Sequence, residues 1–102
     1  MKRPDKNTQA YIDSLILAEY WFTADKAMDR PTLPQANINH VTIYIIVLVN
    51  GTKLVGVNEG PVDEQEFSPE LGRKYAREKA LEQIWPMLGY ELRTIKNPKG
   101  IL

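Results

Sequence analysis

The sequence predicts an α+β domain: an N-terminal helix, a three-stranded antiparallel sheet with a central hairpin, and one long helix packed on the sheet. Three observations carry this expectation. Val41 to Val49 is almost wholly β-branched, aliphatic or aromatic, as a strand requires. Asn50-Gly51 follows, the strongest short hairpin signal, and Thr52 to Asn58 returns as the partner strand. Finally, Ser68-Pro69-Glu70 reads as a cap, a first helical residue with no donor to lose, and an acid in the first turn where the helix dipole favours it.

The remaining elements follow from periodicity. Asn7 or Thr8 can cap a helix expected from about Gln9 to Trp21, whose positions Tyr11, Leu15, Ala18 and Phe22 recur at helical spacing, widened by Ile12 and Ile16. Thr23 offers a new cap for a short turn through Met28. The stretch DRPTLPQANINH is then a connector rich in turn residues. In the first hairpin strand both faces are apolar, Ile43, Ile45, Val47 and Val49 on one and Tyr44, Ile46 and Leu48 on the other. A two-layer monomer leaves one sheet face wet, so the second face calls for a covering element, such as the first helix, or a subunit interface. In the long helix Gly72, Ala76 and Ala80 form a ridge of small residues that admits close approach to the sheet, and Leu81, Ile84, Trp85 and Leu88 thicken the apolar face. Pro86 ends or kinks this helix. Gly89 then permits a left-handed cap, and Tyr90 to Ile95 is expected as the third strand.

At 102 residues the chain makes one domain, 1–102, with tails at 1–8 and 97–102. Such a size leaves apolar surface that self-association can bury. Thirteen Lys and Arg balance thirteen Asp and Glu, so the uniform basic field that tracks duplex nucleic acid is missing. Without cysteine there is no disulfide framework and no thiolate chemistry, which fits a reducing cytosol. The longest apolar run is far shorter than the roughly 20 residues of a membrane-spanning helix, and the basic N-terminus is not followed by a signal-peptide apolar region.

No spacing assembles a catalytic constellation, so no enzyme is expected, and no cofactor or metal. The single His40 has no neighbours with which to form a zinc set. Asp63, Glu64 and Glu66 lack the ligand spacing of a calcium loop and read as a solvated acidic loop, with metal-dependent hydrolysis of a nucleotide as a rival use. Arg73, Lys74, Arg77 and Lys79 cluster on the long helix, with Arg73 and Arg77 one turn apart and able to fork onto phosphate, although interleaved Glu70, Glu78 and Glu82 make a salt-bridged solvent face the simpler explanation. Tyr20-Trp21-Phe22 cannot all enter one narrow stripe, so at least one ring is exposed, for packing, subunit contact or base stacking.

Three segments together carry a resemblance: Glu19-Tyr20-Trp21-Phe22-Thr23-Ala24, the hydrophobic strand ending in Asn50-Gly51, and LGRKYAREKALEQIWPMLGYELR. They resemble a family of small accessory proteins of tailed phages, of the Shigella podophage and coliphage type, over roughly Leu15 to Arg93. The layout is also similar to phage anti-Thoeris proteins, oligomeric sponges that bind cyclic-ADP-ribose-type signals and, in some members, cyclic oligonucleotides of the CBASS type without cleaving them. This resemblance implies a non-enzymatic counter-defence protein in the host cytoplasm, a dimer or hexamer, with Trp21 or Phe22 stacking a base and Arg73, Arg77 or Arg93 binding phosphates. The alternatives are inhibition of a host enzyme through protein–protein contact, or an accessory phage protein of other function.

Overall fold

The computed structural model of the chain describes residues 9–100; the tail expected at 1–8 lies outside them. The elements in order are α1 (Gln9–Leu15), β1 (Ile16–Thr23), β2 (Thr42–Leu48), β3 (Lys53–Asn58), α2 (Pro69–Glu82) and α3 (Ile84–Lys96). The strands form one antiparallel sheet in the order β1-β2-β3, with β2 central. The α+β class, the hairpin and the long helix packed on the sheet are therefore as the sequence predicts.

The third strand is not the expected one. Helix periodicity carried the first helix to Trp21, but it stops at Leu15 and the chain continues as β1. Leu15 to Thr23 holds no Gly or Pro and is apolar at most positions, so it satisfies a helical and an extended pattern alike. Pairing with β2, from Thr23 opposite Thr42 to Ile16 opposite Leu48 with a bulge at Leu17, decides for the strand. Tyr90 to Ile95 is correspondingly helical, inside α3, and Gly89 makes no left-handed cap. With β1 on one side of β2 and β3 on the other, the central strand has no place for it. The Gln83 side chain also donates to the outward-facing carbonyl of Val55 at 2.6 Å and blunts the β3 edge.

Along β2 burial alternates strictly. Thr42, Tyr44, Ile46 and Leu48 face α2, joined there by Leu54 of β3 and the ridge Gly72, Ala76 and Ala80. Tyr11 and Ile12 of α1 enter this same core beside Ile84 and Leu88. The first helix thus packs on the α2 side and does not cover the second sheet face, a correction to that expectation. Tyr20, Phe22, Ile43, Ile45, Val55 and Val57 consequently lie on a sheet face with no described element over it.

Ser68 caps α2 as expected, its hydroxyl accepting the Leu71 amide. The Ser68→Ala variant should lose about 1 kcal/mol, a fall in Tm of roughly 4–8 °C, checked by thermal denaturation followed by circular dichroism. Pro86 acts as predicted: its ring conflicts with the carbonyl of Glu82, and the helix breaks at Gln83 between α2 and α3. Beyond Leu88 α3 is largely exposed, and the radius of gyration of 17.6 Å exceeds the roughly 13 Å of a compact chain this long.

Candidate functional site

Strand alternation, not helical spacing, decides which aromatics meet the long helix. Glu19 and Trp21 of β1 point to the α2 side, whereas Tyr20 and Phe22 point to the open face. Phe22 therefore leaves the candidate site, while Trp21 stands directly opposite Tyr44. The two rings stack with centroids 5.5 Å apart and planes 13° from parallel. Inserting a base between them would need roughly 7 Å, so a ligand ring must use the exposed part of Trp21.

From α2, Arg73 places its guanidinium carbon 5.5 Å from the centre of the Trp21 ring, a cation–π contact. One turn on, Nε of Arg77 donates to Oε1 of Glu19 at 2.6 Å, and the hydroxyl of Tyr44 donates to that same oxygen at 2.7 Å. Trp21, Tyr44, Glu70, Arg73, Lys74 and Arg77 thereby line one open depression of about 470 Å³. Among the described residues Glu70, Glu78 and Glu82 form no ion pair with the helix cations, Lys74 and Lys79 are exposed, and the partly buried pair is Arg77–Glu19.

The electrostatics follow from that pair. The Arg77 hydrogen bond holds the Glu19 carboxyl below the ordinary glutamate value, with burial opposing it and the Tyr44 hydroxyl assisting. Burial, then the Glu19 carboxylate, pushes the Tyr44 phenol up, so Tyr44 stays a donor. Arg77 is raised by its bond to Glu19 and remains a cation. With Nε committed, phosphate recognition by Arg77 falls to its terminal nitrogens. Arg73 makes no ion pair among the described residues and is the more available cation.

A depressed carboxyl pKa gives stability that is present above the unfolded value and lost as pH falls through the folded one. The wild type should therefore lose its Tm advantage over Glu19→Gln as pH drops below about 4.3, with most of it present at neutral pH. Parallel melting curves of the two proteins between neutral and acid pH check this; a constant difference would remove the role given to the pair.

Arg93 does not join the depression. It lies on α3, past the break at Gln83, about three turns into that helix, and is not among the residues that line the depression. Glu19, Tyr44, Glu70 and Lys74 are site residues that sequence reasoning did not assign. Reading Ile16 to Thr23 as a strand would have placed Glu19 beside Trp21 by its period of two.

The acidic loop is occupied otherwise. Asp63 accepts the Gln65 amide and Glu64 accepts from Asn37 at 2.7 Å. Among the described residues no group of three or more His, Cys, Asp or Glu is placed to hold a metal. His40 stacks on Phe67, with centroids 4.1 Å apart. No described helix is long and apolar enough to cross a membrane.

Comparison with protein families matches residues 7–95 to the phage protein (N4 Gp49/phage Sf6 gene 66) family. The chain belongs to this phage family. The match spans all six elements down to Ile95 in α3, including the whole of the Trp21–Arg73–Arg77 depression, and it agrees with the phage accessory resemblance carried by the sequence motifs. Neither the curated proteins nor the solved structures gave a match.

Proposed function

We propose that this phage protein is a non-enzymatic counter-defence protein that binds and sequesters a nucleotide-derived immune signal, of the cyclic ADP-ribose type or a cyclic oligonucleotide. The observation that supports this reading is the stacked Trp21–Tyr44 pair with Arg73 and Arg77 converging on it from α2. Rings and phosphates are the two chemistries such a ligand presents, and an aromatic platform beside arginines answers both. The likeness to anti-Thoeris proteins noted in the sequence supports the same reading. Sequestration works by mass action: the protein holds free signal below the level its effector senses, which calls for low-nanomolar affinity, about −12 kcal/mol. Self-association, as a dimer or hexamer in the host cytoplasm, belongs to the proposal.

The test is native mass spectrometry of the purified protein with a panel of cyclic nucleotides and cyclic ADP-ribose isomers. One intact ligand mass per site is the expected result. An unliganded spectrum across the panel overturns the reading, and recovery of a cleaved ligand replaces it with a hydrolase.

The exposed Trp85 and Tyr90 of α3 favour one rival, inhibition of a host enzyme by direct contact. A host protein captured by the wild type and lost on Tyr90→Ala, with Arg73→Ala still binding it, would select that rival.

A further inference from the structure

The open face of the sheet is the largest physical feature that the ligand site does not use. Its central strand presents Ile43 and Ile45, flanked by Tyr20 and Phe22 on β1 and Val55 and Val57 on β3. Tyr20 is 59% exposed, Val55 48% and Val57 45%, values at odds with an apolar sheet face in water. Nothing described covers it, since α1, α2 and α3 contribute their buried residues to the opposite side. Residues 1–8 carry four charges and no large apolar residue besides Met1, a composition unsuited to capping such a face.

We infer that this face binds the same face of a second copy of the chain, closing a two-sheet sandwich. Three arguments select a second copy. First, Lys53 is the one charged residue that strand alternation places on this face, at its corner, so the surface selects for no charged partner and meets its own image without repulsion. Second, three strands spaced by ~4.8 Å and about seven residues long give a pleated face of roughly 14 by 23 Å, which packs against another at about 10 Å. In projection that is about 320 Å² per copy, enough to form the apolar centre of an interface of the roughly 600 Å² per partner at which specific interfaces begin. Third, the Gln83 side chain occupies the Val55 carbonyl at the β3 edge, which disfavours lengthening the sheet at that edge. The sandwich puts the Trp21 depressions of the two copies on its outer sides, each under its own α2. It deepens the self-association in the proposed function but stands on the sheet face alone, independent of any ligand.

Sedimentation velocity of the full chain at about 100 μM tests it. The expected wild-type mass is twice the 11.7 kDa of one chain, or a higher even multiple. Ile45→Glu, which puts a charge at the centre of the face, should lower that mass by a factor of two or more while far-UV circular dichroism stays unchanged. Should Ile45→Glu not fold, Tyr20→Glu on the exposed edge strand makes the same test. Because the chain lacks cysteine, Ile45→Cys should be joined to a second copy by a short bis-maleimide that spans the about 10 Å between the sheets, while Lys79→Cys on the exposed side of α2 should not. A monomeric wild type, or an oligomer indifferent to the charged variants, overturns the inference. Ligand binding is read separately by mass spectrometry, so failure of the sponge reading and failure of the sandwich are distinguishable.

Discussion

Replacing Gly56 with alanine is expected to destabilise the fold by about 3 kcal/mol or more, lowering Tm by more than about 12 °C. A Cβ at this position would stand 2.0 Å from the Ala76 carbonyl oxygen and 2.5 Å from the Ala80 amide nitrogen. Both are backbone atoms of α2, so no rotamer change relieves the contact and the whole helix must move off β3. The core beneath it contains Ile46, Leu54 and Ile84, all essentially inaccessible to solvent, and shifting the helix opens that packing. Domains of this size hold only about 5–15 kcal/mol in total, so the loss is a large fraction of it. Ala80→Gly should not rescue Gly56→Ala, because the obstruction is main chain, not the Ala80 methyl. Thermal melts of the single and double variants decide the matter: a Gly56→Ala protein melting within about 4 °C of the wild type would mean that α2 rides farther from the sheet.

The second large effect concerns the proposed ligand. Trp21→Ala removes the ring on which a base can stack and the partner of both Tyr44 and Arg73, and Arg73→Ala removes the cation left without an ion pair. Stacking contributes roughly 1–3 kcal/mol per base, and a charged hydrogen bond about 1.5–3 kcal/mol. Each variant should therefore weaken binding of whichever panel member is retained by about 10- to 100-fold, and the pair together by more than either. Phe22→Ala, on the other face of β1, and Arg93→Ala, on the exposed part of α3, should leave affinity within about threefold. Calorimetric titration of the four proteins makes the comparison. An equal loss with Arg93→Ala would show that the ligand is bound between copies, with α3 of a neighbour brought to it, and would displace the depression as the site.

Several elements were legible because their signals are local. Asn50-Gly51 supplies the positive φ that the turn needs, at Gly51, so the existence of the hairpin is legible from a dipeptide, while its register, Val47 opposite Lys53, is set by a turn that spans Val49 to Thr52. Ser68, Pro69 and Glu70 mark the start of α2 by satisfying orphan amides, and Pro86 marks its break by steric conflict with Glu82. The Gly72-Ala76-Ala80 ridge could be read as a close-approach surface because one residue every four lines a single helix face.

Other features depend on contacts between segments far apart in the chain, and no local pattern encodes them. Leu15 to Thr23 is compatible with helix and with strand; β2, some twenty-five residues away, selects the strand by offering unpaired backbone groups that only an extended chain can meet. That choice changes the period from 3.6 to 2, and with it the site: Trp21 turns to α2, Phe22 turns away, and Glu19 comes under Arg77. Tyr90 to Ile95 alternates like a strand yet finds neither place in the sheet nor partner, so it satisfies its own backbone as a helix and keeps Arg93 from the other arginines. By itself the sequence determined the α+β class, the hairpin, the long helix with its small-residue ridge and the presence of an arginine pair and an aromatic cluster, since each rests on neighbouring residues. Only the tertiary structure decided which aromatic meets which arginine and which sheet face stays open, because strand partners and helix sides are set by pairing and packing across the whole chain.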